Sequence, residues 1–348
     1  MRVGMTLNYS GGFAEAVGEL ADYERAGLHT LFVPEAYSFD AVSQLGFIAA
    51  RTKRMRLASG IMQLYTRTPS LTAMTAAGLD FVSEGRFTLG IGASGPQVIE
   101  GFHGVPYAAP LGHTRELVDI CRQVWRREPV NYQGRYYQVP LPAERGTGLG
   151  KPLKIINQPV RADIPIVIAA IGPKNVQLTA EIGNGWQPLF YLPERAAEIW
   201  GDALAAGEAI RGAELGPLEV ITQIPIAMGE DLPELRDRVR PILALYVGGM
   251  GAKGENFYND LTRRYGYQDA AERVQELYLD GKKEEAAAAL PDEFIDAIAL
   301  IGPDGRIAER LAALAESGVH TINLTPLGPD APATVAEIER LVQLADAL

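Results

Sequence analysis

Eight apolar, β-prone runs, beginning near residues 2, 29, 56, 86, 164, 185, 218 and 320, are each followed by a stretch whose apolar residues recur at helical spacing. Strands separated by helices pair in parallel, so this alternation limits the fold more than any other feature of the chain. RVGMTL (2–7) leads to a helix near 13–26 with Phe13, Val17, Leu20 and Ala21 on one face. HTLFVPE (29–35), RLASGIM (56–62) and EGRFTLGIG (84–92) continue the pattern, and Thr68 with Pro69 reads as N-cap and first residue of a helix ending near Ser83. IPIVIAA (164–170), GWQPLFY (185–191), LEVITQIPIAM (218–228) and HTINLTP (320–326) complete it. Eight such units predict the α/β class and a closed (β/α)8 TIM barrel. Periodicity alone leaves an open doubly wound sheet as the rival.

Two excursions interrupt the rhythm. One, at about 129–160, holds the hairpin-like VNYQGRYYQVP and the glycine-rich GTGLGKPLKII; the other, at about 231–317, reads as mostly helical. Both are expected as insertions in a single domain over 1–348. With 47% apolar and 22% charged residues the chain has the material for a large core.

A net charge of -11 opposes a nucleic-acid or anionic-membrane partner, which needs clustered Lys and Arg. The first residues, MRVGMTLNY, lack a signal-like apolar run, and no stretch of about 18 residues is free of polar breaks, so a cytoplasmic location is expected. Cys121, the single cysteine, rules out an intramolecular disulfide or a zinc-thiolate cluster. It shares a helical stripe with Leu117, Ile120, Val124 and Trp125 and reads as a buried thiol. His29, His103, His113 and His320 have no metal-site spacing, and no nucleophile elbow or P-loop is present.

In a barrel the chemistry belongs at the C-terminal strand ends. LGIGASGPQVIE contains Gly90, Gly92 and Gly95 in the G-x-G-x-x-G spacing of a dinucleotide loop. A Rossmann loop, however, opens a full helix and is followed about 20 residues on by an acid ending a second strand. The Gly- and Pro-broken PQVIEGFHGVPYAAPLG meets neither condition. The glycines then either serve a sharp rim turn or line a cofactor, with Ser94 and Gln97 as compact polar groups beside a ring. In AAIGPKNVQLTAEIG a helix starts at Pro173, so its free N–H groups and dipole suit a phosphate, with Lys174 adding charge; an ordinary helix start is the alternative. Glu35 ends the second apolar run, either as a proton relay or as a rim carboxylate bonded to neighbouring loops. Tyr37 and Gln63 are weaker candidates, and Arg67 is a ligand for negative charge or a salt-bridge partner of a helix acid.

The run ASGIMQLYTRTPSLTAMTAAGLDFVSEGRFTLGIGASGPQVIEGFHG resembles the core of the bacterial-luciferase-like flavin and deazaflavin oxidoreductases, particularly the branch using coenzyme F420. TRELVDICRQVW, YQGRYYQVP, ADIPIVIAAIGPKNVQLTAEIGNGWQPLF and ALYVGGMGAKGENFYNDLTRRYGY extend the resemblance over nearly the whole chain. It implies a barrel with the ring at its C-terminal mouth, and a non-prolyl cis peptide at the third strand's end, matching Gly60 and Ile61. Ser94 and Gln97 match the fourth-strand loop beside the ring, and Ala170, Ile171, Gly172, Pro173 and Lys174 match the segment gripping the cofactor phosphate; Gln63 and Gly95 are grouped with them as cofactor-binding candidates. Several F420 relatives carry an Asp-His pair where this chain has Glu35 and Ala36. The acid/base role is therefore assigned to Glu35, with Tyr37 as an outside candidate.

The implied function is an F420-dependent oxidoreductase moving a hydride between deazaflavin C5 and a small-molecule substrate. An FMN-dependent monooxygenase and a non-catalytic flavin- or deazaflavin-binding protein are the alternatives. A homo-oligomer is expected, with the apolar, glycine-rich surface around YVGGMGAKG as a candidate contact.

Overall fold

The computed structural model describes residues 1–7, 13–328 and 330–348. Eight strands, Arg2–Thr6, Thr30–Val33, Arg56–Ser59, Phe87–Gly92, Ile166–Ala169, Gly185–Gln187, Glu219–Met228 and Thr321–Pro326, pair in parallel in chain order. The first strand also pairs with the eighth, from Arg2 opposite Thr321 to Met5 opposite Leu324. That last ladder closes the barrel and excludes the open sheet.

Side chains alternate across each strand, which sorts the residues into two cores. Val3, Met5, Leu31, Val33, Leu57, Leu89, Ile91, Ile166 and Ile168 join the large cluster packed under the helices. Phe32, Ala58, Val167 and Ile221 form a separate cluster in the barrel interior. Gly4 makes room for it, since a Cβ there would lie 2.8 Å from the Phe32 ring.

The expected helix starts hold up where a cap specifies them. Thr68 accepts a hydrogen bond from the Leu71 amide at the head of Pro69–Val82, and Asp40 accepts from Ser43 at the head of Ala41–Arg51. The first helix differs from its expected 13–26 span: it is split into Phe13–Gly18 and Leu20–Arg25, with the poor helix former Gly18 at the break. Cys121 is fully buried on helix Pro110–Trp125, and burial pushes its thiol up, so it is an inert packing group.

In the first excursion Tyr132–Gln133 and Gln138–Val139 form an antiparallel hairpin. The buried Glu116 carboxylate accepts from the amides of Arg135, Tyr136 and Tyr137 at 2.7–3.0 Å, which fixes the turn. After the seventh strand come helices Leu232–Ala244, Phe257–Arg264, Gln268–Leu279, Lys283–Ala288 and Asp292–Ile298. A short strand, Leu300–Gly302, then pairs with the tip of the seventh, and helix Asp304–Glu316 leads into the eighth. These helices grip the barrel rim at Phe190, whose ring meets Tyr246, Tyr258 and Phe294 edge-on at 5.7–6.1 Å.

His29 and His320 lie at the N-terminal end of the barrel, where the Val220 amide donates to His320 Nδ1. Burial, with Arg2 and Arg56 nearby, holds the His29 imidazole below its ordinary value. An unfolded chain takes up this proton near pH 6.5 while the folded chain does not, so stability falls as pH drops below about 6.5 toward the folded value. Urea unfolding at pH 7.5 and 5.5 should show this loss, and His29→Gln should reduce it.

Candidate cofactor site

The third strand is interrupted on its way to the mouth. Leu57 and Ala58 pair with Phe87 and Thr88, whereas Met62 and Gln63 pair with Ile91 and Gly92, so the third strand carries one extra residue. This is a bulge, a device that re-aims side chains at a rim. Ser59 spans it: its hydroxyl donates to the Gly90 carbonyl at 2.8 Å and accepts from the Gly90 amide at 2.9 Å. The Gly60–Ile61 peptide is cis, as the resemblance implied.

Gly90 must be glycine, because a Cβ there would lie 1.8 Å from the Ser59 carbonyl oxygen. A Cβ on Gly92 would touch Ile61 at 3.0 Å and the Ala169 Cβ at 3.4 Å. Strands three to five therefore meet in a wall of small residues, Gly60, Gly92 and Ala169, with the half-buried Ile61 against it. Gln63 is buried beside it; its Nε2 donates to the Ala36 carbonyl at 3.0 Å, while Oε1 is buried without a partner. Such an orphaned acceptor signals a missing donor.

The fourth-strand loop turns at Ser94, a non-glycine residue with φ 59°. Its carbonyl accepts from the Tyr107 hydroxyl, Gly95 stands before the four-residue helix Pro96–Ile99, and Gln97 is exposed. The helix is too short for a Rossmann unit. After the fifth strand the Ala170 and Ile171 carbonyls accept from the Trp186 and Trp200 indoles, each at 2.9 Å, which anchors the segment. Gly172 caps helix Pro173–Ile182 without a side-chain hydrogen bond, and Lys174 is exposed beside it.

Glu35 and Arg67 find each other across the rim. Both guanidinium ends donate, Nη1 to Oε1 at 2.6 Å and Nη2 to Oε2 at 2.8 Å, and the Ala41 amide also donates to Oε2 at 2.9 Å. The two side chains are only 7% and 13% exposed, and the Glu35 carboxylate raises the Arg67 guanidinium further above its ordinary range. Bidentate geometry of this kind is the strong form of the contact. Of the two readings open for Glu35, the geometry is that of a rim carboxylate bonded to neighbouring loops, and the partner of Arg67 is a loop acid rather than a helix acid. Tyr37 is exposed, its ring 6.2 Å from that of Phe102.

Sequence reading missed an aromatic group in which His113 meets Tyr65, Tyr136 and Tyr137 at 4.7–5.3 Å, and Tyr65 meets Tyr107 at 5.4 Å. No spacing rule joins residues so far apart in the chain. Among the described residues no cluster of three or more His, Cys, Asp or Glu side chains could hold a metal ion, and no helix is long and apolar enough to cross a membrane.

The fold is a TIM barrel whose C-terminal rim carries the third-strand bulge beside the fourth-strand glycines. The chain belongs to the luciferase-like monooxygenase family, whose profile matches residues 1–321. It is 42% identical over 93% of its length, and 95% of the relative's, to a Mycobacterium tuberculosis protein provisionally named as a coenzyme F420-dependent oxidoreductase. It is 28% identical to the 5,10-methylenetetrahydromethanopterin reductase of Archaeoglobus fulgidus, covering 88% of each chain. Its fold matches the F420-dependent tetrahydromethanopterin reductase of Methanopyrus kandleri with TM-score 0.83 at 21% identity, over 99% of this chain and 98% of that one.

Proposed function

We propose that the chain is an oxidoreductase that binds coenzyme F420 and passes a hydride between C5 of the deazaflavin and a small organic substrate. The observation that carries this reading is the wall of small residues, Gly60, Gly92 and Ala169 with Ile61 against it, on a rim that also carries the helix start at Gly172, which has no side-chain cap. The 42% identity to a protein provisionally named for F420 favours that coenzyme over FMN. When bound, the deazaflavin supplies a two-electron carrier.

In this reading Gly60 and Ile61 would help hold the ring, and the unpartnered Gln63 Oε1 would be available to accept a hydrogen bond from it. Ser94, Gly95 and Gln97 border the ring. Ala170, Ile171, Gly172 and Pro173 shape the phosphate turn, where the Lys174 amide and ammonium and the helix dipole favour an anion. Glu35, with both oxygens engaged, positions Arg67 and the second-strand loop; proton exchange at Glu35 would first require Arg67 to let go. Tyr37, whose hydroxyl is exposed, is the alternative group for moving a proton.

Side-by-side fluorescence titration of the apoprotein with F420 and FMN tests the reading, followed by hydride exchange on a substrate panel. Tighter binding of F420 is the expected result. Binding of neither cofactor rules the proposal out, tighter FMN binding with oxygen uptake replaces it by a monooxygenase, and F420 binding with no exchange replaces it by a carrier protein.

A homo-oligomer is part of the same proposal. Leu71, Met74 and Phe81, spaced three and seven residues apart on helix Pro69–Val82, are 47%, 54% and 67% exposed on one face. An apolar outer face on a helix already apolar inside suits burial against a second copy. The segment around YVGGMGAKG offers less, because Val247 and Gly248 are already buried. Met74→Glu is expected to shift the protein to monomer in light scattering, without loss of the folded spectrum.

A further inference from the structure

The wall opposite the small residues is made of uncharged hydrogen-bonding side chains. Gly4 and Ile221 face the barrel interior, so by alternation Thr6 and Gln223 do too. Thr6 donates to Asn323 Oδ1 at 3.0 Å, and Gln223 Nε2 donates to Thr325 at 3.1 Å, which brings Asn323 and Thr325 onto the same surface. A Cβ on Gly185 would meet interior Val167 and Ile221, so Gln187, two residues on, joins them. Asn323 and Gln187 are 0% and 7% exposed, and Asn323 Nδ2 and Gln187 Oε1 have no partner. Thr6, Gln223 and Thr325, nearer the mouth, are half-buried.

Cations are sparse on this side among the described residues. Of these, residues 6–7, 187–192, 223–229 and 323–328 contain no Lys, Arg or His. Asp330 and Asp231 are occupied as helix caps. The insertion segment 245–256 brings one cation, the exposed Lys253, with Glu255 two residues on. On the far side Arg67 is neutralised by Glu35. A carboxylate or phosphate taken from water onto the buried part of this surface would find neutral dipoles, with the cation of Lys253 on an exposed segment, a costly exchange.

We propose that strands one, six, seven and eight form a specificity surface for an uncharged substrate presenting a hydroxyl or carbonyl oxygen, with Gln223 and Thr325 as its contact residues. This inference rests on the oxidoreductase reading and deepens it. Amide and hydroxyl groups both donate and accept, so one surface serves the reduced and the oxidised oxygen of a redox pair.

The test uses four probes of matched size, cyclohexanol, cyclohexanone, cyclohexanecarboxylate and phenyl phosphate, read by ligand-induced shifts in melting temperature of the cofactor-loaded protein and of the apoprotein. The expected result is at least tenfold tighter binding of the neutral pair, with Gln223→Lys reversing the preference toward the carboxylate by at least tenfold. Stronger stabilisation by either anion, no response to the neutral pair, or an unchanged carboxylate-to-alcohol ratio in Gln223→Lys overturns the proposal. Failure of F420 to bind in the separate titration, with the neutral preference intact in the apoprotein, would sink the hydride reading alone.

Discussion

Gly90→Ala is expected to lose F420 binding and to destabilise the fold by at least the ~1–3 kcal/mol typical of overpacking, because the new methyl would lie 1.8 Å from the Ser59 carbonyl oxygen. No side-chain rotation can relieve that approach, since both atoms belong to or are fixed by the backbone. The third strand would have to move away, taking the Ser59 hydroxyl bridge and the Gly60–Ile61 bulge with it. Gly95→Ala is the matched control. A Cβ there meets nothing within 4 Å and φ is -109°, so stability should stay within about 0.5 kcal/mol of wild type. Urea unfolding of the two variants, with F420 titration of Gly90→Ala, decides the matter. If Gly90→Ala left the stability and F420 binding of wild type intact, the role given to the Ser59 contact and the ring-wall assignment would fall.

Glu35→Gln is the second large effect. It leaves the Arg67 guanidinium, 13% exposed, without its counter-charge, and removing one partner of a buried pair costs about 3 kcal/mol or more. For a chain of 348 residues that corresponds to roughly 4 °C in melting temperature. Adding Arg67→Gln should restore part of the loss, because the unpaired charge is gone; a double-mutant cycle measures that coupling. A freely exchanging proton relay gives a different pattern: kcat falls and its pH profile changes, melting is unaltered, and Arg67→Gln rescues nothing.

Much of the fold was legible because it is written in local periodicity. All eight strands lie within the runs identified from alternating or continuous apolar residues, and Thr68–Pro69 marked its helix start correctly because a cap acts over three residues. The misjudged first helix is also local in origin: Gly18 is tolerated in a helical pattern but weakens it enough to divide the element. Leu300–Gly302 went unrecognised as a strand because three residues carry no period, and only the protruding end of the seventh strand gives them a partner.

The candidate site divides differently. Gly60, Ile61, Ser94 and the 170–174 segment were picked out by resemblance and strand-end position, both readable along the chain. The Glu35–Arg67 pair was not, although both residues had been singled out, because its members are 32 positions apart and no rule of spacing links two separate βα loops. The polar row on the eighth strand did leave a trace. TINLT alternates polar and apolar residues, yet the sequence does not say that the polar set faces inward.

The sequence by itself determined that strands and helices alternate eight times, where most of them start, and which glycines could bear on a rim. Those properties depend on neighbours a few residues away. Tertiary structure decided that the sheet closes through the first and eighth strands, that Gly90 packs directly against the Ser59 backbone, and that Glu35 is held by Arg67. Each of these depends on register between strands, and register is set only when the whole barrel packs.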